Sequence, residues 1–390
     1  MALTNQIVLM TTKFKLLLIF FILGQSGFAQ NRLPIIKANS VIVDIRDGDS
    51  FEKASWTISP ELKPDLYETP NKYKSVTFYT DLDSISFLVK PNEHYDFIIL
   101  LNNTDTAYTR IVYVMPPDFI DILKKADKYN LEDSREIPNF TYQTSNDSNL
   151  VLLRKTFNLD SIAGTGNEVS QILSLLHWMH NLIRHDGLNG NPETLNALSM
   201  INTCKKDNRS LNCRGLAMAL NECYLSMGFK SRYVICLPKD SLGVDKDCHV
   251  INMVYSNSQK KWLWIDPTFD DYVMNEKGEL LSLEEVRERI ICEQPLILNP
   301  DANWNHKTST VKEDFIYRYM AKNLYMFKCP IRSEFNTETK VQGKTIEYIQ
   351  LLPLEYFNQL PFKSEIKNEK TGTTVITYKT NNSALFWKAP

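Results

Sequence analysis

The stretch that most constrains the fold of this chain runs from Ser210 to Val234 and reads SLNCRGLAMALNECYLSMGFKSRYV. A helical pattern runs through it and stops at Gly228, a residue that commonly ends helices. Ser210 and Asn212 stand just before the pattern, and both are favourable capping residues. We predict a helix over residues 213–227, followed at once by a strand in SRYVICLP. Helix and strand therefore alternate closely in this part of the chain, which indicates an α+β fold.

The first part of the chain has a different pattern. Short runs rich in valine, isoleucine, phenylalanine, tyrosine and threonine are separated by proline, asparagine, aspartate and glycine, as expected for strands. Several short strands at this spacing predict a β-sandwich-like accessory domain over residues 30–117. The runs are SVIVDI, KSVTFYT, SISFLVK, YDFIILL and TRIVYV.

Residues 118–160 are predicted as a helical and linker segment, with a helix near 118–128. Residues 161–390 are predicted as one domain with helices packed on an antiparallel sheet and an α+β extension at the C-terminal end. Its strands include CHVINMVYS, KWLWIDPT, TIEYIQLLP and TTVITYK, and Ser282 with Glu285 forms a capping-box pattern. A length of 390 residues fits this division.

Charge excludes one class of partner. The chain carries 44 basic and 46 acidic side chains, for a formal net charge of −2. That balance gives no general attraction to nucleic acid or to an anionic membrane. We therefore expect no nucleic-acid partner.

The first 29 residues have the pattern of an export signal. Lys13 and Lys15 precede the apolar run LLLIFFIL, and Gly27 and Ala29 occupy small positions typical of a cleavage site. Eight apolar residues are too few for a bilayer, which needs about 20. We predict a mature chain that starts near Gln30, has no stable membrane span and is periplasmic or secreted. The alternative is a retained anchor.

Seven cysteines in an exported chain raise the question of disulfides. The number is odd, so at least one thiol is left unpaired. Cys223 and Cys236 stand in apolar stretches and are interpreted as core thiols. Cys204 and Cys248 stand in polar stretches that we interpret as loops, where they could pair with each other.

The predicted helix NEVSQILSLLHWMHNLIRHDG, which we expect to end at Gly187, carries three histidines, His177, His180 and His185. The first two are three residues apart and could be a metal pair. No glutamate stands between them and no cysteine or carboxylate completes a set, so we predict packing and polar contacts at the helix end, and no metal.

Cys213 is the candidate nucleophile because it begins the predicted helix. The unpaired N–H groups of a helix N-terminus favour an anion, and they lower the pKa of a cysteine placed there. A thiolate needs a base and the base needs an orienting group. If the turn after the histidine strand is centred between Asn257 and Ser258, His249 falls directly opposite Asp266. The alternative is three side chains with no mutual contact.

The order of a cysteine, a histidine and an Asp-Pro-Thr after a tryptophan-rich strand resembles the transglutaminase-like superfamily of papain-type folds. The resemblance covers residues 168–272, about a quarter of the chain, and includes the GFxxRYV join with Gly228 and Arg232. Its motifs are NCRGLAMALNECYLSMGFKSRYV, DCHVINMVY and KKWLWIDPTFDDY. Carried over by position, the resemblance implies that Cys213 is the nucleophile, His249 the general base and acid, and Asp266 the orienting carboxylate.

The sequence departs from the superfamily pattern at two places. Asn212 stands where glycine often precedes the nucleophile, and Val250 follows the histidine where an aromatic residue is common. No residue clearly matches the oxyanion-hole side chain. The backbone N–H of Cys213 is the expected first donor. Asn208 or Asn212 is the candidate for the second.

Three functions remain open from the sequence. The first is hydrolysis of a peptide or amide bond through an acyl-enzyme, with a peptide, protein or cell-wall peptide as substrate. The second is transfer of the acyl group to an amine, as in transglutamination. The third is a binding or scaffold module with a degenerate core. A thiol triad implies no metal or organic cofactor, and the sequence does not indicate an oligomeric state.

Overall fold

The computed structural model describes residues 33–115, 118–126, 128–131, 133, 135–188, 190–239, 248–354 and 362–390. The predicted export signal lies outside the described residues. The chain divides between residues 117 and 118 into two compact units.

The first unit is built from two four-stranded sheets, in the orders β1-β7-β8-β4 and β3-β2-β5-β6. Side chains from both sheets meet in one apolar core, in which Val43, Phe78 and Phe97 are fully buried. Each of the five predicted runs forms a strand. The strands are β1 (Ile35–Ala38), β2 (Ile42–Asp47), β3 (Ser50–Thr57), β4 (Asp65–Thr69), β5 (Ser75–Tyr79), β6 (Ser84–Leu88), β7 (His94–Leu101) and β8 (Asp105–Tyr113).

Strands β1, β3 and β4 were not predicted from the sequence, and each lies at the edge of its sheet. Strand β3 was missed for a clear physical reason. It is an edge strand whose side chains are nearly all exposed, so no buried face produces an alternating pattern.

The second unit combines helices with a long sheet, which makes the chain a mixed α+β protein. A π-helical turn, Phe315–Met320, separates two short helices. The helices are α1 (Phe119–Lys125), α2 (Ser148–Thr156), α3 (Leu159–Ala163), α4 (Glu168–Leu182), α5 (Ala197–Asp207), α6 (Cys213–Ser226), α7 (Leu283–Ile291), α8 (Lys312–Asp314), α9 (Ala321–Asn323) and α10 (Ser383–Phe386).

The long sheet has the strand order β12-β11-β10-β17-β19-β21-β20, and its neighbours are antiparallel except for the parallel pair β19 and β21. The strands of the unit are β9 (Thr141–Tyr142), β10 (Ser231–Leu237), β11 (His249–Ser256), β12 (Lys261–Ile265), β13 (Val273–Met274), β14 (Ile297–Leu298), β15 (Asn303–Trp304), β16 (Thr308–Ser309), β17 (Met326–Pro330), β18 (Arg332–Ser333), β19 (Thr345–Leu351), β20 (Lys363–Asn368) and β21 (Thr373–Thr380).

Helix α6 lies at the centre of this unit, between the sheet and helices α2, α4 and α5. Every residue from Gly215 to Ser226 is buried, as expected for a helix covered on all sides. Glu222 is held there because its carboxyl accepts the backbone N–H groups of Ala197 and Asn336, at 2.7 and 2.8 Å. Burial raises the pKa of Glu222 to about 8. Gly228 follows the helix with a φ of +89°, and strand β10 begins three residues later.

Two helix boundaries differ from the predictions. Helix α4 ends at Leu182 and not at Gly187, because Ile183 adopts an extended backbone. The polar stretch around Cys204, interpreted from the sequence as a loop, belongs instead to helix α5, which continues to Asp207. Met200, Ile201 and Cys204 bury one face of that helix, and its polar residues lie on the other face.

Within the described ranges, no helix combines the length and the apolar character needed to cross a membrane.

Candidate functional site

Cys213 is the first residue of helix α6, as predicted, and Asn212 is its N-cap. The side-chain oxygen of Asn212 accepts the backbone N–H of Gly215 at 3.0 Å and the side-chain N–H of Asn191 at 2.7 Å. The Asn191 oxygen accepts the backbone N–H of Asn212 at 3.1 Å. A Cβ at Gly215 would collide with the Asn191 amide, so glycine is needed at this position. These contacts hold the helix start, and therefore Cys213, in place.

The thiol of Cys213 lies between two imidazoles and a backbone carbonyl. Its Sγ is 3.9 Å from the carbonyl oxygen of Cys248. Burial by itself would raise the pKa of the Cys213 thiol, but hydrogen bonds from His185 and His249 lower it to about 6. Near neutral pH the side chain is therefore a thiolate, the form of cysteine that acts as a nucleophile.

His249 is oriented by Asp266. Its Nε2 is 2.5 Å from Oδ2 of Asp266, and both side chains are almost fully buried. The other carboxylate oxygen accepts the backbone N–H of Thr268 at 2.8 Å. Burial opposes the charged imidazole, but the charge and hydrogen bond of Asp266 raise the pKa of His249 well above its ordinary value. Because Nε2 binds the carboxylate, Nδ1 is the ring nitrogen left for the thiol.

The register predicted for this pair is wrong by two residues. Strand β11 pairs Asn252 with Ile265, so the turn is centred between Ser258 and Gln259. His249 and Asp266 consequently do not stand directly opposite each other. They are diagonal neighbours, a separation that a long side chain such as histidine can span.

An aromatic wall encloses His249. The rings of Phe269, Phe315 and Tyr319 lie 5.8, 6.2 and 5.4 Å from the imidazole, measured between centroids. Phe315 and Tyr319 come from the π-helical turn, which often marks a functional region. This wall keeps water from the histidine and its carboxylate.

His185 is the site residue that sequence analysis missed. Helix α4 ends before it, so His185 lies in an extended segment that forms a β-bridge with Leu211. Asn305 binds its backbone on both sides: the Asn305 oxygen accepts the N–H at 2.7 Å, and the amide donates to the carbonyl at 2.9 Å. The indole N–H of Trp304 donates to Nδ1 at 3.2 Å. His185 therefore carries its proton on Nε2 when neutral.

The two candidates for the second oxyanion donor both lie at helix ends. Asn208 is the left-handed C-cap of helix α5, with a φ of +48°, and it is exposed. Asn212 uses its side-chain oxygen as the helix cap. No pattern in the sequence set His185 apart from the other histidines, because its position depends on Leu211, Trp304 and Asn305.

His177 and His180 make polar contacts, as predicted from the sequence. His177 lies 2.7 Å from Asp270, which raises the pKa of the imidazole. The ring nitrogens of His180 lie 3.0 Å from the Pro267 carbonyl and 3.1 Å from the Asn303 side-chain oxygen. Across the described residues, no group of three or more histidine, cysteine or acidic side chains is arranged to hold a metal ion.

All seven cysteines lie among the described residues and form no disulfide, so Cys204 is not bonded to Cys248. Cys204 is buried on helix α5, whereas Cys248 borders the Cys213 thiol. The interpretation of Cys204 as a loop residue is therefore wrong. Cys223 and Cys236 are fully buried, as predicted for core thiols.

Two cavities of the second unit adjoin the site. One, of about 930 Å³, is lined by Arg214, which follows Cys213, and by Cys248. The other, of about 820 Å³, is lined by His185 and Trp304. Each cavity is therefore lined in part by residues that lie next to the Cys213 thiol.

No protein-family model matches this chain, and no curated protein matches it. The solved structures that match include a protein from Cytophaga hutchinsonii described as a "Putative Cysteine Protease". The two share 14% identity, with a TM-score of 0.24, and the match covers 39% of this chain and 54% of that protein. The chain thus spans about half the length of the protein it matches. A likeness at this level does not establish a shared fold.

Proposed function

We propose that this protein is a cysteine-dependent acyl-transfer enzyme that hydrolyses peptide or amide bonds. The observation that carries the proposal is the contact network of Cys213, His249 and Asp266. A thiol with a pKa of about 6 begins a helix, and a buried imidazole held by a carboxylate lies beside it. Such an arrangement supplies a nucleophile, a proton donor and an orienting group.

The reaction starts from the thiolate of Cys213 and the imidazolium of His249. Sγ attacks the carbonyl carbon of the scissile amide, and the His249 proton passes to the leaving nitrogen as the C–N bond breaks. The product is a thioester and a free amine. Water then attacks the thioester, gives a proton to His249 and releases the acid, and the thiolate is restored. Asp266 keeps the imidazole in place throughout.

The oxyanion formed in each step needs hydrogen-bond donors. The backbone N–H of Cys213, at the start of helix α6, is the first. We assign the second to Nε2–H of His185, because Trp304 holds Nδ1 as an acceptor and the ring hydrogen-bonds to the thiol. For this role we prefer His185 to Asn208 and Asn212, the donors predicted from the sequence.

Export belongs to the proposal as a prediction from residues 1–29. Protein isolated from its native host should begin near Gln30, as mass spectrometry can establish. An intact N-terminus in a membrane fraction would favour the retained anchor.

The test of function is a cleavage assay on a diverse peptide library, including cell-wall peptides. We expect new peptide termini with the wild-type protein and none with Cys213→Ser. Cys292→Ser is the matched control, because Cys292 is exposed and distant in sequence from the site. Labelling with a fluorescent primary amine runs in parallel. Incorporation of the amine without cleavage would favour transglutamination, and neither product would favour a binding module.

A further inference from the structure

The cavity of about 930 Å³ lies on the face of the long sheet that helix α6 covers. Ile235 of strand β10, Lys328 of β17 and Tyr348 of β19 form its floor, and Met218 of helix α6 forms part of its wall. Arg214 and Cys248, the neighbours of Cys213 and His249 in the chain, also line the cavity, and the Cys248 carbonyl oxygen lies 3.9 Å from Sγ of Cys213. A volume of this size fits several residues of a peptide.

One of the cations of the cavity is already neutralised. The guanidinium of Arg214 donates to both carboxylate oxygens of Glu338, at 2.7 and 2.6 Å. The hydroxyls of Tyr233 and Tyr348 also donate to this carboxylate, each at 2.7 Å. Arg214 and Glu338 therefore form an ion pair with no net charge on one side of the cavity. The hydrogen bonds of Glu338 are made to Arg214 and to the two tyrosines.

Lys328 has no such partner. No acidic side chain within the described part of the chain forms an ion pair with it, and its ammonium lies 4.4 Å above the ring of Tyr348. Burial, with the nearby charges of Arg214 and Lys379, lowers the pKa of Lys328 to about 8, although the charge of Glu338 acts in the opposite direction. The Lys328 ammonium is largely removed from water and is repelled by the Arg214 guanidinium, so an anion that enters the cavity would stabilise it.

A second lysine lies in the same row of the sheet. Lys328 stands opposite Gln350, and Gln350 stands opposite Lys379, so these three residues share one face. Lys379 is 8% exposed and forms no ion pair with any described acidic residue. Lys340 adds a positive charge at the exposed rim of the cavity. Two acidic residues line the cavity, Glu338, which is bound to Arg214, and Glu193, which is exposed at the rim.

We propose that this cavity binds a carboxylate of the substrate, so that the enzyme acts on acidic peptides and Lys328 selects them. The inference rests on the proposed function, since it assumes that Cys213 attacks the bound peptide. The apolar side chains of Ile235 and Met218 suit the methylene groups of a glutamate side chain, and the Lys328 ammonium and the Gln350 amide suit its carboxylate.

The test compares two probes that alkylate thiols, both chloroacetyl dipeptide amides. The last residue is glutamic acid in one probe and glutamine in the other. The two probes therefore differ only in a side-chain carboxylate, which is a carboxamide in the second probe. Saturation kinetics followed by intact-protein mass spectrometry give the inhibition constant at Cys213. We expect the acidic probe to bind at least tenfold more tightly. Lys328→Gln should abolish the preference and Lys328→Arg should keep most of it. Lys363→Gln, on exposed edge strand β20, should leave it unchanged.

Iodoacetamide, which is small and neutral, separates the two proposals. Equal alkylation of Cys213 by iodoacetamide in the wild type and Lys328→Gln shows that the variant is folded around the site. Rapid iodoacetamide labelling with equal inhibition constants for the two probes would overturn the acidic pocket and leave the proposed function standing. A preference that persists in Lys328→Gln would also overturn it. Slow labelling of Cys213 by iodoacetamide would contradict the proposed function. It would also contradict the acidic pocket, because that proposal assumes that Cys213 is the nucleophile.

Discussion

At the scale of single residues, the reactivity of Cys213 depends on two imidazoles that come from different elements. His249 begins strand β11, whereas His185 lies in the segment after helix α4. Each stabilises the thiolate by a hydrogen bond. The cysteine is therefore an ionised group at neutral pH, in contrast to the fully buried thiols of Cys223 and Cys236, whose pKa burial raises.

The first prediction concerns the pH dependence of alkylation. The rate at which iodoacetamide labels Cys213 should rise through about pH 6 and then level off, because its folded pKa is about 6. Exposed Cys292 is the control, since a hydrogen bond to Glu288 raises its pKa.

At pH 7, His249→Ala should slow labelling of Cys213 about tenfold or more, as the thiolate fraction falls. Asp266→Ala should slow it less. Equal rates at Cys213 and Cys292 would show that Cys213 is not activated.

The second prediction concerns His185. His185→Ala should shift the alkylation curve of Cys213 to higher pH, because one donor to the thiolate is lost. With a substrate in hand, it should lower kcat by about 10²-fold with little change in KM, as expected for an oxyanion donor. His185→Gln should restore part of the rate, because its amide can donate. Trp304→Phe removes the donor that fixes the tautomer and should have a smaller effect of the same sign. A purely structural role would change neither the alkylation curve nor kcat.

At the scale of elements, the start of helix α4 and the turn between strands β11 and β12 are joined by one carboxylate. Glu168 accepts the backbone N–H groups of Asn257 and Ser258, each at 2.9 Å, and the hydroxyls of Ser256 and Ser258. Desolvation opposes the charge, but these donors lower the pKa of Glu168 to about 2. The hairpin that carries His249 and Asp266 is thus anchored to a helix.

The third prediction is the effect of Glu168→Gln. At neutral pH it should destabilise the protein by about 2 kcal/mol, because hydrogen bonds to a charged group are lost. The folded pKa lies below the ordinary value, so this stability is present above about pH 4.5 and is lost as the pH falls toward 2. The difference from wild type should therefore shrink in acid.

Urea unfolding gives the free energy, and hydrogen exchange at Asn257 and Ser258 should report faster exchange in Glu168→Gln. Glu369→Gln, at an exposed position, is the control. Unchanged protection of the turn would contradict the anchor.

At the scale of the whole molecule, the long sheet of the second unit is tied to the C-terminal end of the chain through Arg232. This side chain is fully buried, and its guanidinium lies 4.0 Å from the ring of Phe140, 4.6 Å from Trp262 and 5.5 Å from Phe386. One N–H donates to the Phe386 carbonyl at 2.7 Å. Aromatic faces compensate part of the charge, as in other cation–π contacts.

The fourth prediction follows from that aromatic enclosure. Arg232→Ala should destabilise the second unit by about 3 kcal/mol, because it leaves a cavity and removes the contacts with three rings. Arg232→Met should cost less, since it refills most of the space. Lys363→Ala removes an exposed cation–π contact with Tyr378 and should change stability by under about 1 kcal/mol. Thermal unfolding measures all three, and similar values for Arg232→Ala and Lys363→Ala would contradict the role of Arg232.

The sequence by itself determined the elements that local interactions control. The helix from Cys213 to Ser226, its Asn212 cap and its stop near Gly228 were all predicted, because capping and glycine chemistry act within a few residues. The capping box of Ser282 and Glu285 was predicted for the same reason. The choice of Cys213, His249 and Asp266 as candidates also came from motifs that are local in the chain.

Only the tertiary structure decided which distant groups meet. The register of strands β11 and β12 depends on the turn at Ser258 and Gln259, and a one-residue error in the centre of that turn shifts every cross-strand pair. His185 reaches the thiol because Leu211, Trp304 and Asn305 hold it. Lys328 faces the cavity because strand β17 pairs with β10 in the sheet. Such positions are set by packing between segments far apart in the chain, and no local pattern encodes them.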